Sequence, residues 1–178
     1  MAEKLWFSQS IEGLFVRGIG KDMTPELRTK LKNLGIDVAS LQPAYDNDLV
    51  VKAIKLAGAT LFPTLDEKAA LRQMGVLFLR GFADTFLGAA LVQVFKVIGP
   101  RRSLERMERN FRTGGNYIET RFTSLGKGKA QVWFNDVSNI PDFYAGIIMR
   151  GGEFAGAKEM SVTHEGTTEC TFTVTWAE

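Results

Sequence analysis

Residues 169–176 most tightly limit what this chain can fold into. Cys170, Phe172, Val174 and Trp176 alternate with Glu169, Thr171, Thr173 and Thr175. A period of two with one apolar face specifies a strand in a sheet covered on one side only. Residues 116–124 and 129–136 read as two more strands joined at LGKG, and 159–164 pairs with 169–176 around EGTT. Between these hairpins Asn139-Ile140-Pro141 opens a helix that runs to about Ala157, with Pro near its first turn.

Upstream, apolar residues recur at helical spacing. Residues 9–19 form a short helix with Leu14 and Phe15 inward. Thr24-Pro25 supplies a cap and a first-turn Pro, and Gly35 stops the helix after Leu34. A third helix spans 46–61, starting at Asp46 or Asn47 and ended by Pro63. Thr64 or Asp66 caps a helix over about 65–80. The pattern then runs on, unbroken or with a break near Gly81, to Ile98, where Gly99-Pro100 stops it. Helices followed by β-β-α-β-β predict an α+β fold with a four-stranded, mostly antiparallel sheet. The whole chain, 1–178, is expected to be one domain, helical to about 112 and β-β-α-β-β from about 113.

Several function classes are excluded. A net charge of +2 is too small to imply nucleic-acid binding. The one cysteine, Cys170, permits neither a disulfide framework nor a cysteine-based zinc site, and fits a reducing compartment. The N-terminal MAEKLWFSQS has no signal-peptide core. The longest apolar stretch, GVLFLRGFADTFLGAALVQVFKVIG, is interrupted by Arg80, Asp84, Gln93 and Lys96, so it reads as a buried helix and not a membrane span. The expected location is cytoplasmic. No phosphate-binding glycine motif precedes a helix and no metal triad is visible, so neither enzyme chemistry nor a cofactor is expected.

The arginine-rich stretch RNFRTGGNYIETR at 109–121 has a simple reading. Leu104, Met107 and Phe111 form an apolar stripe, and Arg101–Glu105, Glu105–Arg109 and Glu108–Arg112 are i, i+4 pairs of opposite charge. Gly114-Gly115 then supplies positive φ to stop the helix. The alternative is an anion site built on the unpaired Arg102 and Arg106.

His164, the only histidine, falls by parity on the covered face with Met160 and Val162. It is expected to be structural, or to touch a ligand at a pocket mouth. Pairing with Cys170 lacks an orienting third group, and the thiol sits on the apolar face. More informative is the mixture of Phe78, Phe82, Phe86 and Phe95 with Gly75, Gly81, Gly88, Ala89 and Ala90. Phe82 and Phe86, four apart, are expected to share a helix face, with Gly75 and Ala89 leaving room beside the rings. This pattern suits an apolar ligand pocket between residues 74–98 and the sheet, with Phe78, Phe82, Phe86, Ala89, Trp133, His164 and Trp176 as contacts. The alternative is a solid core or a homodimer face in a pure interaction module.

RNFRTGGNYIETRF, FYAGIIMRGGEFAGA and the terminal ECTFTVTW together resemble a paralogous family expanded in myxobacteria, domain of unknown function 2378. That resemblance brings no catalytic residues with it. The order of elements more distantly resembles the fold shared by haem-nitric-oxide-binding sensors, vinyl-reductase-type hydrocarbon-sensing domains and small subunits of the transport-particle trafficking complex. The resemblance implies a pocket between a long helix and the sheet. Haem sensors of this type carry a histidine on that helix and a Y-x-S-x-R on the strand leading into the later helix. Residues 65–98 contain no histidine, Tyr117-Ile118-Glu119-Thr120-Arg121 lies one strand too early, and the corresponding strand reads VWFNDVS. Haem is therefore not expected.

Overall fold

The computed structural model describes residues 3–177. It begins with β1 (Leu5–Phe7) and a short helix α1 (Ser8–Ile11) that continues as a π-helical segment, Glu12–Gly18. Leu14 and Phe15 are buried there, as expected. Then come α2 (Pro25–Leu34), β2 (Ala44–Asp46) and α3 (Asn47–Leu61). The caps read from the sequence close these helices. Thr24 Oγ1 accepts from Leu27 N–H at 3.1 Å, and Asp46 Oδ1 accepts from Asp48 N–H at 2.9 Å. Gly35 takes the left-handed conformation (φ 111°) that ends α2. The two-stranded sheet β1–β2 was not anticipated.

The expected long helix is two helices. α4 (Glu67–Ala83) and α5 (Phe86–Glu105) meet at 100°. Thr85 begins the second one, its Oγ1 accepting from Gly88 N–H at 3.0 Å. The close turn needs Gly88, since a Cβ there would lie 1.7 Å from the Phe82 carbonyl oxygen. α5 is itself broken at Gly99 (φ 79°, ψ 175°), and Pro100 opens its last turns. The helix expected over 101–112 is interrupted at Arg106 and resumes as α6 (Met107–Phe111). No single helix among the described residues is long and apolar enough to cross a membrane.

The second half follows the expected order: β3 (Thr120–Gly126), β4 (Lys129–Phe134), α7 (Pro141–Phe154), β5 (Lys158–Gly166) and β6 (Cys170–Ala177). The sheet runs β3-β4-β6-β5, every neighbouring pair antiparallel. Ala130, Val132 and Phe134 of β4 stand with Cys170, Phe172 and Val174 of β6 on one buried face. Helix α7 covers that face, with the Tyr144 ring 5.7 Å from that of Phe134. On its other side α7 crosses α4 at glycines. A Cβ on Gly75 would sit 1.9 Å from the Phe143 oxygen, and one on Gly146 would sit 2.1 Å from the Arg72 oxygen. Gly75 therefore brings two backbones together and leaves no room for a ligand.

Gly114 and Gly115 also differ from expectation, because neither has a positive φ. Their missing side chains admit the N-terminal segment instead. A Cβ would meet Ser10 Oγ at 2.5 Å from Gly114 and the Leu5 oxygen at 2.8 Å from Gly115. Phe7 N–H donates to the Gly114 carbonyl at 2.9 Å. Of the three ion pairs expected nearby, Arg101–Glu105 and Arg112–Glu108 form, while Glu105–Arg109 is not among those recorded for the described residues.

A candidate ligand cavity

An apolar cavity of about 80 Å³ lies among the helices. α4 contributes Phe78, Leu79 and Phe82, stacked on one face, with the Phe78 and Phe82 rings 5.8 Å apart. α5 turns back at its 100° corner and lays Leu91 and Phe95 opposite them. Leu104, Met107 and Phe111 close a third side, and Ile147 and Ile148 of α7 close a fourth. No residue of β3–β6 lines the cavity, because α7 stands between it and the sheet. The expected location between a long helix and the sheet is corrected to a space among α4, α5, α6 and α7.

One wall carries polar atoms. Trp6, Tyr117 and Tyr144 all line the cavity and all belong to one hydrogen-bond network. Trp6 Nε1 donates to Asn47 Oδ1 at 3.0 Å, and the Tyr117 hydroxyl donates to the same oxygen at 2.8 Å. The Tyr144 hydroxyl lies 3.0 Å from that of Tyr117. The Tyr117 proton is committed to Asn47, so Tyr144 donates to Tyr117. Asn47 is held from behind by Ser138, whose Oγ accepts from Nδ2 at 3.0 Å. Burial drives both phenols above their ordinary range, Tyr144 well above it, so both stay neutral donors.

Of the seven residues expected to touch a ligand, only Phe78 and Phe82 line the cavity. Phe86 lies past the helix corner and is 96% exposed, and Ala89 is exposed on the same helix. Trp133 is on the open side of the sheet, under the Arg121 guanidinium at 4.4 Å, with its Nε1 donating to Glu169. Trp176 is half-buried at the end of β6. His164 packs beside Phe172 with its Nε2 3.3 Å from Asp142 Oδ2. Asp142 also takes Arg72, at 3.0 Å, so this cluster ties α4, α7 and β5 together. Cys170 pairs in register with Gly166, and burial, with a smaller push from Asp142, raises its thiol to about 11.

The sequence reading missed the cavity residues of α5–α7 and of the 113–118 segment. Leu104, Met107 and Phe111 were visible as a stripe, but a stripe does not say that its partner surface is incomplete. No group of His, Cys, Asp and Glu suited to a metal ion occurs among the described residues.

The family profile described as Protein of unknown function (DUF2378) matches residues 4–177. No curated protein matches the chain. Among solved structures, an H-NOX protein from S. oneidensis in the Fe(II) ligation state superposes with a TM-score of 0.75 at 8% identity, covering 97% of this chain and 96% of that one. An Fe(II) unliganded H-NOX variant from K. algicida gives 0.71 at 13% identity, covering 97% of each. An oxygen-binding H-NOX domain related to soluble guanylate cyclases gives 0.70 at 14%, covering 97% and 96%. At these identities the likeness establishes the fold.

Proposed function

The chain belongs to the family described as Protein of unknown function (DUF2378), and we propose that it is a non-enzymatic sensory domain that takes a small apolar molecule into the cavity among α4–α7. The observation that carries this reading is the cavity itself: its lining is largely apolar, and Trp6, Tyr117 and Tyr144 add hydrogen-bonding side chains along one wall. Ligand sites are commonly concave, apolar and equipped with a small number of oriented polar groups. The fold adds support, since the H-NOX structures it resembles are described in oxygen-bound and nitric-oxide-bound states.

Haem does not fit these residues. Iron in haem is held by His, Cys, Met or Tyr. Neither His164 nor Cys170 lines the cavity. Tyr117 and Tyr144 do, but both are held as neutral phenols and spend their protons within the network. Met107 remains as a lone thioether, and no Lys or Arg lines the space to meet a porphyrin's propionates. At about 80 Å³ the cavity is roughly half the ~150 Å³ that holds benzene in an engineered apolar cavity. A ligand of a few heavy atoms matches it, and a porphyrin does not.

Thermal unfolding under xenon pressure or saturating ethane tests the reading. A ligand that binds only the native state raises the midpoint. Wild type should rise, and Ile147→Trp, which projects an indole from α7 into the space, should not. No rise in wild type with either probe overturns the reading and favours a solid-core interaction module. Mass spectrometry of freshly purified, denatured protein would identify a resident ligand.

A further inference from the structure

The outer face of α5 carries large apolar side chains that nothing in the fold covers. Phe86 is 96% exposed, Val97 86% and Val94 41%. Eleven residues make just over three turns, so Phe86 and Val97 stand on one face, with Ala90 and the exposed Gln93 between them. All lie within the unbroken part of the helix, before Gly99. Cations begin beside this stripe at Lys96 and continue past its Val97 end at Arg101, Arg102, Arg106, Arg109 and Arg112. Residues 86–112 hold six Lys and Arg against two Glu, a net +4, which leaves −2 on the rest of a chain whose net charge is +2. The two Glu are already spent on Arg101 and Arg112. Lys96, Arg102, Arg106 and Arg109 have no ion-pair partner among the described residues.

We infer that this face docks on an anionic lipid surface, with Phe86 and Val97 entering the interface and the arginines meeting headgroups. Two features select that occupant. The first is area. From Phe86 to Val97 the stripe is about 16 Å long and about 10 Å wide, roughly 160 Å². A stable protein–protein interface takes about 800 Å² from each partner. A bilayer needs no such area, because a few inserted apolar side chains and a basic cluster act together. The second is charge. A second copy laid parallel on this face would bring its own +4 segment against the first, whereas an anionic surface complements it in any orientation. No single helix among the described residues is long and apolar enough to cross a bilayer, and the proposed association is peripheral.

Co-sedimentation of the full chain with phosphatidylcholine vesicles, with and without phosphatidylserine, tests this. Wild type should pellet with the phosphatidylserine vesicles, stay in solution with phosphatidylcholine alone, and be released by high salt. Arg102→Ala/Arg106→Ala should weaken binding about thirtyfold, at the usual contribution of a basic residue near a charged membrane. Phe86→Ser/Val97→Ser should weaken it by at least about tenfold. Both pairs are exposed, so the variants should melt with wild type. Failure of wild type to pellet, or undiminished pelleting of the Phe86→Ser/Val97→Ser variant, overturns the inference. So does light scattering that shows a dimer in wild type and a monomer in that variant, which would assign the face to a second copy.

Discussion

The Tyr117 hydroxyl stands 3.0 Å from that of Tyr144 and 2.8 Å from Asn47 Oδ1, so the buried Tyr144 phenol reaches the amide oxygen only through Tyr117. Their order sets an asymmetry. Tyr144→Phe removes the outermost donor and leaves Tyr117 bonded to Asn47, at a cost of about 1 kcal/mol. Tyr117→Phe leaves the Tyr144 hydroxyl buried without its partner, and should cost about 1–3 kcal/mol. Urea unfolding of both variants measures the order. Equal costs would mean that the two phenols are independent.

The same pair fixes a pH dependence. Burial raises both phenols above their value of 10.0 in the unfolded chain. Their contribution to stability is therefore fully present below about pH 10 and is lost as pH climbs through the higher folded values. Each phenol that ionises only on unfolding steepens the fall by about 1.4 kcal/mol per pH unit. Tyrosinate absorbance from Tyr117 and Tyr144 should thus appear together with loss of the fold. In Tyr117→Phe/Tyr144→Phe the alkaline decline should be shallower.

Gly75→Ala should be among the most damaging conservative changes, at about 3 kcal/mol or more, because the new methyl meets backbone that cannot swing aside. Ala89→Phe, by contrast, adds a ring to an exposed position and should stay within about 0.5 kcal/mol of wild type. Thermal denaturation of the two variants tests both statements. A well-folded Gly75→Ala protein would mean that α4 and α7 do not touch there.

Cys170 should be silent toward thiol reagents in the native protein at neutral pH, because burial holds it protonated up to about 11. Labelling should begin only in denaturant. Rapid native labelling would place the thiol at the surface and reverse the facing of β6.

What the sequence made legible was local. The parity of Cys170, Phe172 and Val174 was enough to face β6 inward, because neighbouring side chains on a strand have only two directions. Trp176 shows the limit of that rule: it ends the strand half-buried, so Trp176→Ala should cost less than Phe172→Ala, where the ring is fully enclosed. The caps at Thr24, Asp46 and Asp66 were readable because each bonds a backbone N–H two or three residues on. Thr85 carried the same signal inside an apolar run, where the one break expected was near Gly81, four residues earlier. Overlooking it moved Phe86 and Ala89 from solvent into an imagined pocket. Of the cavity only Phe78 and Phe82 were legible, since its other walls depend on where α5 goes after a 100° corner.

The glycine crossing of α4 and α7 has a mechanical consequence. Backbone rests on backbone at Gly75 and Gly146, so no side chain is available there to change rotamer and let the helices slide. The cavity's remaining long wall is α5, tethered at the Thr85 corner and at the Gly99 break. At the corner Gly88 rests on the Phe82 carbonyl just as closely, so only the Gly99 end of α5 lacks such a backbone crossing. On the proposed function, a guest would meet Leu91 and Phe95 on one side of α5, whose other side carries Phe86 and Val97.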